Sequence, residues 1–240
     1  MAGFGEDGLV TRRGEIEAGL ANVRDRISRA CAAAGRPNDV TLVVVTKTYP
    51  ASDVRILAEL GVRDVGENRH QEAEPKAREC ADLGLTWHMI GQLQRNKAAG
   101  VVDWADVIET IDRAALADAV NRSCLAVGRV CDVLIQVNLD RPARPERGGC
   151  DPEDVAEVCR HGVGLPGLRV QGVMGVAPYP GDPGEAFSRL AGLAEGVRAI
   201  VPTATVLSAG MSEDLEVAIA HGATHVRVGS AVLGRRPALQ

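Results

Sequence analysis

The sequence predicts an α/β fold, a closed (β/α)8 TIM barrel entered through a leading N-terminal helix. Eight short apolar or β-branched stretches alternate with helical ones over about 200 residues, a spacing that suits eight β/α units better than an open sheet. Residues 130–137 and similar stretches are apolar at both alternating positions, as strands covered on both faces of a parallel sheet must be. No predicted strand runs into G-x-G-x-x-G, the turn that a doubly wound dinucleotide-binding sheet, the competing architecture, would carry.

In chain order, residues 14–35 place Ile16, Leu20, Val23, Ile27, Ala30 and Ala34 at helical spacing, and Gly35-Arg36-Pro37 ends that helix. Residues 1–12 are expected to be flexible. The first strand is read at 40–47, followed by a helix that Ser52 caps and that runs to residue 60. The second strand spans 62–67 with a helix over 69–83, and the third spans 85–91 with a short helix from residue 94. The fourth is 105–110 with a helix over 112–127. The fifth, 130–138, leads into a loop at 139–150 rich in Pro, Arg and Gly, then a helix over 152–161. The sixth is 168–176 with a helix over 184–200, the seventh 204–208 with a helix over 212–221, and the eighth 225–229. One domain over residues 1–240 is expected.

A net charge of −5 gives no reason to expect nucleic acid or an anionic membrane as partner. The six cysteines show neither C-x-x-C spacing nor a Cys/His grouping of metal-ligand type. The acidic, Gly-rich start lacks a basic region followed by an apolar run, so the cysteines read as reduced thiols of a cytoplasmic protein. No run approaches the about 18 apolar residues of a membrane span.

Three lysines (Lys47, Lys76, Lys97) stand against 24 arginines, and Lys47 lies where the β-branched run Val43-Val44-Val45-Thr46 meets its loop. Desolvation favours the neutral amine, which is a nucleophile able to form a Schiff base with an aldehyde. A lysine that snorkels from the strand end into water is the alternative. A barrel places its site at the C-terminal strand ends. Those ends read Lys47, Glu67 with Asn68, His88, Thr110, Asn138, Met174, Ser208 and Arg227. After strands seven and eight, Gly210 and Gly229 permit close backbone approach, and Ser212 and Ser230 add hydroxyls, as a phosphate cup requires. Ser212 as a simple helix cap fits that stretch equally well. A reactive lysine with a phosphate cup points to pyridoxal 5'-phosphate (PLP). Arg227 would then face the pyridine nitrogen and, keeping its protons, leave that nitrogen unprotonated.

These motifs resemble a known family. Thr46-Lys47-Thr48-Tyr49-Pro50, Gly66-Glu67-Asn68-Arg69, Trp87-His88-Met89-Ile90-Gly91, Gly210-Met211-Ser212 and Val226-Arg227-Val228-Gly229-Ser230 are similar to those of the PLP homeostasis proteins. These are single-domain relatives of the alanine racemase N-terminal barrel. The resemblance implies a fold type III PLP-binding barrel with PLP held as a covalent aldimine to Lys47. It implies Asn68 and His88 near the cofactor, Arg227 at the pyridine nitrogen, and Ser212, Gly229 and Ser230 at the phosphate. Met174 and Ser208, read at the strand ends, complete the expected cofactor-binding set. Ala209 stands where the family usually has methionine, and Arg147 where it often has lysine.

The function implied is PLP binding for intracellular PLP homeostasis, buffering or delivering the cofactor with little or no turnover and with no catalytic or metal-ligating residue. Apo PLP-dependent enzymes are the expected recipients, and a monomer is expected. The alternative is a PLP-dependent amino-acid racemase, which needs an acid/base on each face of the cofactor. The only tyrosines are Tyr49 and Tyr179, and neither is well placed for that task. A PLP-free Schiff-base aldolase, with Glu67 moving the proton, is the reading from another class.

Overall fold

The computed structural model describes residues 6–234. The leading helix α1 (Glu6–Ala33) is longer than expected and starts inside the stretch read as flexible; residues 1–5 of that stretch lie outside the described residues. Ile16, Leu20, Val23, Ile27 and Ala30 are buried as their spacing requires, whereas Ala34 lies past the helix and is exposed.

From there strands and helices alternate: β1 (Thr41–Val45), α2 (Ala51–Glu59), β2 (Asp64–Glu67), α3 (His70–Glu79), β3 (Thr86–Met89), α4 (Ala98–Val102), β4 (Val107–Ile111) and α5 (Ala114–Ala126). The second half holds β5 (Cys131–Val137), α6 (Val155–Val163), β6 (Leu168–Gly175), α7 (Pro183–Ile200), β7 (Val206–Ser208), α8 (Leu215–Ala220), β8 (His225–Val228) and α9 (Ser230–Leu233). Short 3-10 turns intervene at Ala81–Leu83, Arg95–Lys97, Pro145–Arg147 and Pro152–Asp154. All eight strands are parallel, and β8 returns to pair with β1, Thr41 opposite His225 and Val43 opposite Arg227.

Two expected caps are corrected. Pro50 occupies the cap position of α2, so Ser52 lies within the helix; a ring-fixed φ and a missing N–H suit proline to the helix threshold. The helix after β7 starts at Leu215, three residues past Ser212, because the Asp214 carboxylate accepts from the Met211 amide and folds the approach into a turn.

The core is the shell between strands and helices, where Phe187, Ile16, Leu57, Leu116 and Ile135 are fully buried. Trp87 and Trp104 meet edge-on within it, ring centroids 6.4 Å apart. Arg12 of α1 ties two parts of the wall together, pairing with Asp53 at 2.6 Å and donating to the Leu233 carbonyl at 3.0 Å. No helix among the described residues is long and apolar enough to cross a membrane.

One irregularity sets how β6 faces the bore. Its pairing with β5 steps from Val133 opposite Val170 to Leu134 opposite Gly172, so one extra residue is accommodated there. Gly172 has φ +153°, and a Cβ on it would stand 1.8 Å from the Val206 carbonyl oxygen of β7. Gly172→Ala is therefore expected to separate β6 from β7 and lower stability by about 1–3 kcal/mol or more, as overpacking does. Urea unfolding checks this, and an unchanged midpoint would contradict the role given to the bulge.

Candidate functional site at the barrel mouth

Strand alternation divides the polar residues of the barrel into two sets. Val44, Val65, Val226 and Val228 belong to the apolar shell beneath the helices, so the residues alternating with them face the bore. Asp64, His88, Glu109, Ser208 and Arg227 form a connected chain there. His88 Nδ1 lies 2.8 Å from Glu109 Oε1, and its Nε2 lies 3.1 Å from Asp64 Oδ1. Ser208 Oγ donates to Glu109 Oε2 at 2.7 Å, while Arg227 donates to Ser208 Oγ at 2.6 Å and to the Gly175 carbonyl at 2.9 Å.

Charges in this chain must balance, because an unpaired ion in the interior is very costly. Burial disfavours the Glu109 carboxylate, yet His88, Arg227 and Ser208 outweigh it and hold Glu109 down at about 2. Burial likewise opposes the His88 imidazolium, and Asp64 and Glu109 overcome it, lifting His88 to about 9. Arg227 is pulled down by burial and supported by Glu109, without leaving the protonated state of an arginine. His225, 6.5 Å from His88 between ring centroids, is pushed down by burial.

The second set lies behind the wall, under α3. Thr46 Oγ1 donates to Glu67 Oε1 at 2.7 Å; Lys76 Nζ donates to the same oxygen at 2.6 Å and to the Thr46 carbonyl at 2.8 Å. Glu67 is fully buried, and burial raises its carboxyl against the pull of Lys76. Glu67, read at the strand ends as a group able to react, thus belongs to the outer wall, which removes the proton-transfer residue of the aldolase reading. Thr46 is turned back toward α3, and Lys47 follows it in the turn after β1.

At the mouth, Lys47 is half-buried in the turn after β1. Gly229, after β8, lies against β1, where a Cβ on it would meet the Val45 carbonyl oxygen at 3.2 Å. Ser212 is half-buried and Ser230 exposed; the helices that follow, α8 and α9, have only six and four residues. Asn68 is half-buried at the end of β2, and Met174 of β6 is buried. Asn138 instead anchors the 139–150 loop, donating to the Arg144 carbonyl and accepting from the Asp140 amide. Thr110 is buried with a hydroxyl that has no hydrogen-bond partner among the described residues. Tyr49 is buried with its hydroxyl on the Gly234 carbonyl, and Tyr179 is 80% exposed.

Sequence reasoning passed over Asp64, Glu109, Glu72 and Lys76. Glu109 had a signal, a carboxylate in the middle of the apolar strand Val-Ile-Glu-Thr-Ile. Lys76 stands one helical turn after Glu72, a spacing that reads equally well as an ordinary surface pair.

The bore network makes a pH-dependent contribution to stability. Because His88 is raised, its share is complete below about pH 6.5 and is lost as pH rises through about 9. Because Glu109 is lowered, its share is present above about pH 4.5 and is lost as pH falls through about 2. His88→Leu is expected to cost about 3–5 kcal/mol at neutral pH and to flatten the alkaline decline. Chemical denaturation on both sides of pH 9 measures it, and an equal alkaline slope in both proteins would exclude His88 as the source.

Comparison with known proteins places this geometry. The profile of the alanine racemase N-terminal domain matches residues 19–237. A pyridoxal phosphate homeostasis protein of Mycobacterium tuberculosis is 42% identical over 245 residues, covering 94% of each chain. Among solved structures, an unknown protein from Bifidobacterium adolescentis superposes with TM-score 0.85 at 35% identity, over 92% of this chain and 96% of that one. PipY of Synechococcus elongatus, solved with PLP bound, superposes with TM-score 0.80 at 34% identity, over 91% of this chain and all of that one. A barrel of this type, matched from end to end at such identity, belongs to the alanine racemase N-terminal domain family and, within it, to the pyridoxal phosphate homeostasis proteins.

Proposed function

We propose that this chain binds pyridoxal 5'-phosphate at the barrel mouth and serves intracellular PLP homeostasis, holding the cofactor and passing it to apo-enzymes without turnover. The observation that carries this reading is that Lys47 follows, in the turn after it, the strand β1 that pairs with the Arg227 strand β8, Val43 opposite Arg227. The donor set fits the cofactor: an amine just past β1, a guanidinium in the bore from β8, and hydroxyls of Ser212 after β7 and Ser230 after β8. The amides of Ser230 and Ala231 open α9 and have no intrahelical acceptor. The relative solved with PLP bound supports the same choice of ligand.

In this reading Lys47 offers the amine for covalent attachment to the aldehyde, Ser212, Gly229 and Ser230 receive the phosphate, and Arg227 meets the ring nitrogen. Asn68 and Met174 line the cleft. Ser208 and His88 act mainly from below, Ser208 by orienting Arg227 and His88 by holding Glu109. PLP supplies a carbonyl electrophile and a conjugated ring when bound. The protein acts as a monomer, its mouth assembled from its own strand ends, and works in the cytoplasm.

The racemase reading is weaker because neither tyrosine nor His88 is available as a second base. Tyr49 spends its hydroxyl on a backbone carbonyl, Tyr179 stands in solvent, and both nitrogens of His88 are engaged by carboxylates.

Two measurements test the proposal. Purified protein supplied with PLP is expected to show a visible absorption band that borohydride abolishes, with a pyridoxyl group mapped to Lys47 and none on Lys47→Ala; label on another lysine would refute the assignment. Incubated with L-alanine in D2O, the PLP-loaded protein is expected to exchange the α-proton no faster than free PLP does. Exchange well above that background, accompanied by D-alanine, would return the racemase to first place.

A further inference from the structure

Thr48, the residue after Lys47, has φ +70° and is the one non-glycine residue at positive φ among those described. For a β-branched side chain that conformation is a genuine outlier, kept only where the surroundings impose it. The Thr48 hydroxyl does not offset it, being buried without a hydrogen-bond partner among the described residues. The backbone is held instead: the Thr48 amide donates a hydrogen bond to Glu72 Oε1 of α3. Lys76 Nζ holds that same carboxylate oxygen at 3.2 Å and reaches the Thr46 carbonyl at 2.8 Å. On the far side, the Tyr49 amide closes the turn on the Thr46 carbonyl at 3.1 Å, and its hydroxyl is tied to Gly234.

Both neighbours of Lys47 are thus pinned from behind the barrel wall by α3 residues that do not line the bore. Building on the function proposed above, we propose that Glu72 is a positioning residue: by holding Thr48 in the left-handed conformation, seconded by Lys76, it aims the Lys47 amine into the mouth. The strained turn sets the direction in which the chain leaves β1. A relaxed Thr48 would swing the lysine away while leaving the bore network and the phosphate cup in place.

The test separates this role from general damage. Wild type, Glu72→Ala, Glu72→Gln and Glu72→Ala/Thr48→Gly are titrated with PLP and with pyridoxamine phosphate, which has the same ring and phosphate but no aldehyde. In parallel, each apoprotein is treated with a small phosphate-free aldehyde and cyanoborohydride, and labelling of Lys47 is read by mass spectrometry relative to Lys97. Glu72→Ala is expected to weaken PLP binding at least tenfold and to lower Lys47 labelling similarly, with pyridoxamine phosphate affinity within twofold of wild type. Glu72→Gln, which keeps an acceptor oxygen, recovers most of the loss. Thr48→Gly recovers part of it, because glycine takes positive φ without strain. Unchanged PLP affinity and labelling in Glu72→Ala, or equal losses for both ligands, would overturn the proposal. A wild-type protein that never takes a pyridoxyl group at Lys47 would instead overturn the functional reading beneath it.

Discussion

A guanidinium cannot shed its charge at accessible pH, so seating Arg227 inside the bore obliges the barrel to bring a counter-charge with it. Glu109 is that counter-charge, 3.7 Å away and bridged through Ser208. One carboxylate among buried groups then calls for further partners, and His88 with Asp64 supplies them. The result ties β2, β3, β4, β7 and β8 across the bore. The floor of the mouth is therefore a rigid polar plate whose protonation states are set by mutual pairing.

The other polar cluster has a separate task. Thr46, just past β1, is turned to the helix side, where its hydroxyl and carbonyl engage Glu67 and Lys76. Lys76, Glu67 and Glu72 serve the wall, anchoring the turn that carries the lysine. Glu67 shows how the division constrains function: a carboxylate at a strand end is sealed against α3 by Thr46 and Lys76. Beneath the mouth, Arg227 and His88 are both engaged by carboxylates of the bore.

Much of the barrel was legible from local patterning. Strand and helix order follow from β-branched runs and helical spacing, and Ile16, Leu20, Val23, Ile27 and Ala30 are buried as their periodicity requires. The misreadings were local too. Ser52 and Ser212 looked like caps because cap preference is a property of residue type, whereas Pro50 and the Asp214 turn decided where those helices begin. The nine positions expected to meet the cofactor fall on strand ends and the loops after them, but reading them as one ring missed the depth at which each sits. His88, Ser208 and Arg227 lie within the bore, while Ser230 is exposed.

The amino-acid sequence by itself determined the alternation of strand and helix, the position of Lys47 at a strand end and the motifs that mark the family, because each depends on residues close together in the chain. Only the tertiary structure decided that β8 closes on β1, that Glu109 answers Arg227 over more than a hundred residues of chain, and that Glu72 holds Thr48 at positive φ. Those contacts turn on which face of each strand meets the bore and on the register of closure. Both are settled by packing all eight units together, and neither is encoded in any single stretch.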